Sequence, residues 1–181
     1  MRNYRYLERR NRMLKRVGNF VGVILGAIIL AYIMVHFCIQ TAAVGGESMQ
    51  PSYSDGDVVL VNKLAYHLNK PDRYDVALIK INTSTAKEYS VKRVIGLPGE
   101  TVQIINEEVL VDGKPISFHF DENVISAGIA SYPVKLGQNE YFVMGDNCNN
   151  SEDSRSANIG NIKRSQFIGK VSTVMKKSDS Q

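Results

Sequence analysis

The sequence predicts a mostly β domain of antiparallel strands behind one N-terminal transmembrane helix. Three observations carry that expectation. Residues 17–46 contain no charged side chain. The sixteen residues before them hold seven Lys/Arg against one acid, a net charge of +6. From residue 39 onward the chain breaks into short apolar runs, rich in β-branched residues and separated by Gly, Pro, Asn and Asp. A length of 181 residues suits one folded domain behind such a segment.

The helix is expected over residues 17–38, VGNFVGVILGAIILAYIMVHFC. Twenty-two residues at about 1.5 Å each give roughly 33 Å, enough for a hydrocarbon core of about 30 Å. A cleaved signal peptide is the competing reading, with Thr41-Ala42-Ala43 as its small-residue site. The apolar run exceeds the usual length of such a peptide, so a retained anchor is expected. The basic residues lie immediately before the span. This bias predicts a cytoplasmic segment 1–16 and an extracytoplasmic domain 39–181 of a single-pass cell-membrane protein in contact with the lipid bilayer. His36 and Cys38 fall near the outer end of the span, as tolerated interfacial residues.

Residues 39–181 carry 15 basic and 17 acidic side chains. The basic pI of about 9.0 therefore stems from the N-terminal tail. A nucleic-acid partner is not expected. Two cysteines, Cys38 and Cys148, are too few for a disulfide framework. His36, His67 and His119 lack metal-ligand spacing, so neither a metal nor any other cofactor is expected.

Strands are expected at 57–63, 74–81, 88–96, 101–106, 109–112, 140–144 and 167–175, with a hairpin over 101–112 and a turn at Asp112-Gly113. A short helical turn is expected at 66–70. The polar end, 176–181, is expected to fray.

Three stretches can carry chemistry. Ser48 lies in GESMQPSY (46–53), a turn-prone backbone following Gly45-Gly46. By itself it reads as a turn serine. Lys92 lies in an apolar strand-like run, KRVIGLPGE (92–100). Strand alternation sends Lys92 and Arg93 to opposite faces, so one of them must face inward or into a groove. A lysine in a low-dielectric site loses its proton more readily. A fall of roughly 2–3 units from about 10.4 would make it a base near neutral pH, able to activate a serine hydroxyl. The third stretch, GDNCNNSEDSR (145–155), is rich in turn formers. In it Asp153 and Arg155 can form a charge-assisted pair, and Ser151 can hydrogen-bond the lysine amine.

Taken together with GDVVLVNK (56–63), these stretches resemble the bacterial type I signal peptidases of peptidase family S26, in the single-anchor form of Gram-positive bacteria. The resemblance covers nearly the whole chain, in order and spacing. It implies a membrane-bound serine endopeptidase that removes N-terminal signal peptides from exported preproteins, after Ala-x-Ala-like sites. It implies Ser48 as nucleophile, Lys92 as general base and Ser151 as the serine orienting the amine. Asp153 and Arg155 match a structural ion pair, and Asp146 an acidic position in the same loop. Val44 and Val91 match positions lining the small substrate pockets. Met49 is expected either at the substrate or lipid side or in the core. Gly46 stands where some relatives carry a serine assisting the oxyanion hole, so that hole is expected to rely on backbone N–H groups, including that of Ser48. Cys148 stands where arginine is common, and a local packing change is expected. A monomer is expected.

Other readings stay open at this point. A self-cleaving or pilus-assembly relative would share parts of the chemistry. A membrane-tethered binding module would leave Ser48 and Lys92 far apart.

Overall fold

The computed structural model describes residues 2–82, 87–120 and 122–176. Of the end expected to fray, 176–181, Lys176 is instead paired with Val58 in a strand, and residues 177–181 lie outside the described residues, as does the side chain of His36. The chain divides into two compact units, Met1–Cys38 and Ile39–Gln181.

The first unit is one helix, α1 (Arg2–Cys38). It begins well before the expected start at residue 17. The basic tail offers Arg, Leu, Met and Lys, all good helix formers, and no Pro or Gly to stop it. Its window Met13–Ile33 has a mean hydropathy of 1.9, and it is the one helix among the described residues apolar and long enough to cross a membrane.

The second unit is built from antiparallel sheets. A seven-stranded sheet contains β1 (Ile39–Ala43), β2 (Val58–Asn62), β3 (Val76–Asn82), β4 (Lys87–Gly96), β9 (Glu140–Met144), β10 (Ile162–Lys163) and β11 (Phe167–Lys176). Its order is β1-β2-β11-β3-β4-β9-β10. A four-stranded sheet contains β5 (Thr101–Ile105), β6 (Glu108–Val111), β7 (Lys114–Pro115) and β8 (Val134–Lys135), in the order β7-β6-β5-β8. The fold class is therefore the expected one. Helix α2 (Lys63–Leu68) starts directly at the end of β2, where the Asn62 side chain accepts from the Ala65 N–H. It begins three residues earlier than the turn expected at 66–70, because this cap fixes its start.

The expected strands form within one or two residues of their expected bounds. Strand β1 was not expected. Its sequence, IQTAA, is short and only partly apolar, and it is a strand because all five residues pair with β2, Ile39 to Asn62 through Ala43 to Val58. Register shifts interrupt β4 against β9 between Val94 and Gly96, and β11 against both neighbours. Such bulges bend a strand and re-aim its side chains.

Three apolar clusters fill the domain. One gathers Val44, Met49, Val59, Val61, Val76, Leu78, Val91 and Val171. It joins the residues flanking Ser48 to the strands β2, β3, β4 and β11. A second packs Tyr66, Tyr141 and Phe167 around Ile79 and Val94. The third links both sheets through Ile95, Val102, Leu136, Phe142 and Met144, with Cys148 at its edge. Both cysteines are free.

Candidate active site

Ser48 is half-buried in the connection between β1 and β2. That connection is closed by backbone bonds: the Val44 N–H donates to the Asp57 carbonyl at 2.8 Å, and the Gly56 N–H to the Val44 carbonyl at 2.9 Å. Gly46 sits at φ +73°, a left-handed conformation in which a side chain is strained. Its N–H donates to Asp55 Oδ1 at 2.7 Å. The Asn147 N–H donates to the Ser48 carbonyl at 3.1 Å. Among the described residues no acceptor takes the Ser48 N–H.

Lys92 is on β4, held by pairing with Ala77 of β3. It is only 3% exposed. Its Nζ donates to Ser48 Oγ at 2.8 Å and to Ser151 Oγ at 3.1 Å. Burial lowers its pKa from the ordinary 10.5 to about 8, with Asp153 opposing and Arg155 assisting more weakly. The direction and size match the expectation for a base.

The segment 145–155 supplies the rest. Asp153 and Arg155 form the expected pair, Nη2 to Oδ2 at 2.8 Å and Nε to Oδ1 at 2.8 Å, both buried. Arg155 also donates to the carbonyls of Ser126 at 3.1 Å and Cys148 at 2.5 Å. Asp153 Oδ2 accepts from the Gly145 N–H at 3.1 Å. One ion pair thus ties both ends of the segment together and presents Ser151 to the amine.

Asp146 does not touch Lys92. It pairs with Arg93, whose Nε and Nη2 donate to its two carboxylate oxygens at 2.7 and 2.5 Å. The adjacent basic residues of β4 are therefore gripped by one loop, Lys92 through Ser151 and Arg93 through Asp146. Sequence reading assigned Asp146 a position but no partner. The Arg93 guanidinium also lies 4.6 Å from the Phe118 ring centre.

Gly145 was missed as a site residue. A Cβ there would lie 2.3 Å from the Ser48 carbonyl oxygen and 2.3 Å from Ser151 Oγ. Only glycine lets the two loops meet. The turn-rich sequence marks flexibility, whereas this requirement is a close approach that appears only in three dimensions.

Val44, Met49 and Val91 lie together in the cluster beneath the pair. Met49 has no exposed surface, so of its two expected places it takes the core. Cys148 is buried, and its thiol faces the carbonyls of Glu122 and Asn123 at 3.4 and 3.8 Å. Among the described residues no group of three or more His, Cys, Asp or Glu is placed to hold a metal ion.

A family model described as "Signal peptidase, peptidase S26" matches residues 17–176. The chain belongs to this family. Signal peptidase I of Bacillus amyloliquefaciens is 35% identical over 154 residues, spanning 81% of this chain and 78% of that protein. Signal peptidase I T of Bacillus subtilis (strain 168) is 36% identical over 151 residues, spanning 79% and 77%. A solved signal peptidase I from Enterococcus faecalis V583 is 29% identical, covers 58% of this chain and 98% of its own, and superposes with a TM-score of 0.46. The chain is a serine endopeptidase of the signal peptidase class by this membership.

Proposed function

We propose that this protein is a signal peptidase I that removes N-terminal signal peptides from exported preproteins, with Ser48 as nucleophile and Lys92 as general base. One observation carries the assignment: a buried lysine, with its pKa lowered to about 8, sits 2.8 Å from a serine hydroxyl in a turn. That separation lies within reach for proton transfer.

The chemistry follows from the geometry. With its amine neutral, Lys92 turns a lone pair to the Ser48 hydroxyl and takes its proton as Oγ attacks the scissile carbonyl. Ser151 fixes the amine by its second contact. The same ammonium then protonates the leaving amine, and the regenerated amine activates the water that resolves the acyl-enzyme. The Gly46 N–H is already engaged by Asp55. The Ser48 N–H is therefore the backbone donor assigned to the oxyanion. The extended substrate runs along the segment before Ser48 and along β4. Val44 and Val91 form the wall against which its small side chains seat, and Met49 is the packing beneath. Asp146, Asp153 and Arg155 hold the frame.

The helix 17–38 is assigned as the membrane span, with 1–16 cytoplasmic and 39–181 extracytoplasmic, from the seven basic residues ahead of it. It keeps the enzyme among substrates that are themselves tethered in the bilayer, which raises their effective concentration. The protein acts as a monomer.

The test is cleavage of a preprotein by the full chain in detergent micelles. Ser48→Ala and Lys92→Ala are each expected to lower the rate by at least about 10³-fold, as loss of a nucleophile or its base does elsewhere. Cleavage at the wild-type rate by either variant would sink the assignment.

A further inference from the structure

A cavity of about 190 Å³ opens beside the nucleophile and is lined by Gln50, Pro51, Glu122, Asp146, Asn147 and Cys148. At about 30 Å³ per water it holds the bulk of roughly one side chain. Its position relative to Ser48 is fixed twice. Gln50 and Pro51 follow Ser48 by two and three residues, and the Asn147 N–H bonds the Ser48 carbonyl at 3.1 Å. The walls proposed for the acyl part of the substrate, Val44 and Val91, belong to the segment that precedes Ser48 and to β4. The cavity is bordered instead by Gln50 and Pro51, which follow Ser48 in the chain, and by Asp146, Asn147 and Cys148, and neither Val44 nor Val91 lines it. With the acyl half of a peptide assigned to Val44 and Val91, this separate cavity next to the Ser48 turn is the space left for the departing half.

The charge of this cavity is one-sided. No lysine or arginine lines it. Asp146 is buried and neutralised by the two-point Arg93 pair. Glu122 is exposed and forms no salt bridge with a described residue. It is nevertheless held in place. Asn149 Nδ2 donates to Glu122 Oε2 at 2.9 Å and to the Asn123 carbonyl at 3.0 Å, and the Ile125 N–H donates to Asn149 Oδ1 at 3.1 Å. The Cys148 thiol faces the Glu122 carbonyl from inside. The small Cys148 side chain leaves the space open, and the pinned segment sets one uncompensated carboxylate at its rim.

We infer that this cavity is a subsite for the departing side of the substrate, and that Glu122 makes it favour a lysine or arginine at the first or second residue after the scissile bond over an acidic one. The inference rests on the proposed peptidase reading. An ion pair at an exposed rim is weak and salt-sensitive, so the discrimination is modest. It acts through binding of the departing chain and needs no new chemical step.

The test uses the full chain in detergent micelles and peptide substrates carrying Lys, Ala or Glu at either position. For the wild type, kcat/KM for Lys is expected to exceed that for Glu by about three- to fivefold at low salt, at one of the two positions. The ratio is expected to fall towards one at about 1 M salt. Glu122→Gln should bring it near one at low salt, and Glu122→Lys should invert it. A Lys-to-Glu ratio that Glu122→Lys leaves unchanged, with the Ala peptide still cleaved, overturns the subsite and leaves the peptidase reading standing. Failure of the wild type to cleave the Ala peptide, or cleavage of it by Ser48→Ala, overturns that reading and the subsite with it.

Discussion

Lys92 is held in the fold at a cost to stability. Its pKa is lowered from 10.5 to about 8. At about 1.36 kcal/mol per unit, keeping it charged in the folded state costs about 3 kcal/mol. The sign follows from proton counting. Between about pH 8 and 10.5 the unfolded chain binds the proton and the folded one does not, so this lysine's penalty is full below about pH 8 and disappears as pH rises to 10.5. Lys92→Met should therefore raise the unfolding free energy of the full chain in micelles by about 1–3 kcal/mol at pH 7, less the two hydrogen bonds lost, while abolishing cleavage. The gain should vanish by about pH 10.5. Denaturant unfolding at both pH values checks it, and a variant less stable than wild type at pH 7 would contradict the buried-charge argument. The same pKa sets the activity profile. kcat/KM should climb about tenfold per pH unit below an apparent pKa near 8 and level off above it.

At the scale of the element, the segment 145–155 decides the site's geometry. Its buried Asp153–Arg155 pair clamps Gly145 at one end and the carbonyls of Cys148 and Ser126 at the other. Removing one partner leaves a buried charge uncompensated. Arg155→Ala is expected to destabilise the domain by about 3–5 kcal/mol, read as a lowered midpoint in thermal unfolding. Gly145→Ala acts differently, since the added methyl meets the Ser48 carbonyl and Ser151 Oγ at 2.3 Å. The loops must part, and misplacement by about 1 Å is enough for a loss of about 10²-fold in rate. Single-turnover cleavage measures it, and an unimpaired Gly145→Ala enzyme would show that the loops need not meet so closely. The ion pair was legible in the sequence because two opposite charges stand two residues apart. The glycine was legible only as a turn former, because one of the atoms it must make room for, the Ser48 carbonyl oxygen, comes from a loop almost one hundred residues away.

For the whole molecule, one row of paired residues runs from Ile39, the first residue after α1, to Lys92. Ile39 faces Asn62, Asn62 faces Lys170, Lys170 faces Ala77, and Ala77 faces Lys92. The site thus stands on a sheet assembled from distant segments: Lys92 meets partners 44 and 59 residues away in sequence. The proposed topology predicts that protease added outside intact protoplasts degrades residues 39–181 and spares a tag placed ahead of residue 2. Protection of the domain until the membrane is permeabilised would reverse the orientation.

The sequence by itself determined the apolar helix, the antiparallel β class and the expected strands, and it offered Ser48, Lys92 and Ser151 as candidates. These depend on local signals: hydropathy, two-residue alternation, turn formers and motif order. Tertiary structure alone decided β1, the Arg93–Asp146 pair, the requirement for glycine at 145, the burial of Met49 and the cavity beside Gln50 and Glu122. Each depends on what a distant segment brings alongside, and no local pattern encodes that. For Ser48 and Lys92 the division is sharpest. The resemblance to a known family implied a pair, but the burial that lowers the lysine's pKa and the 2.8 Å that separates them exist only where the β1–β2 loop, β4 and the segment 145–155 converge.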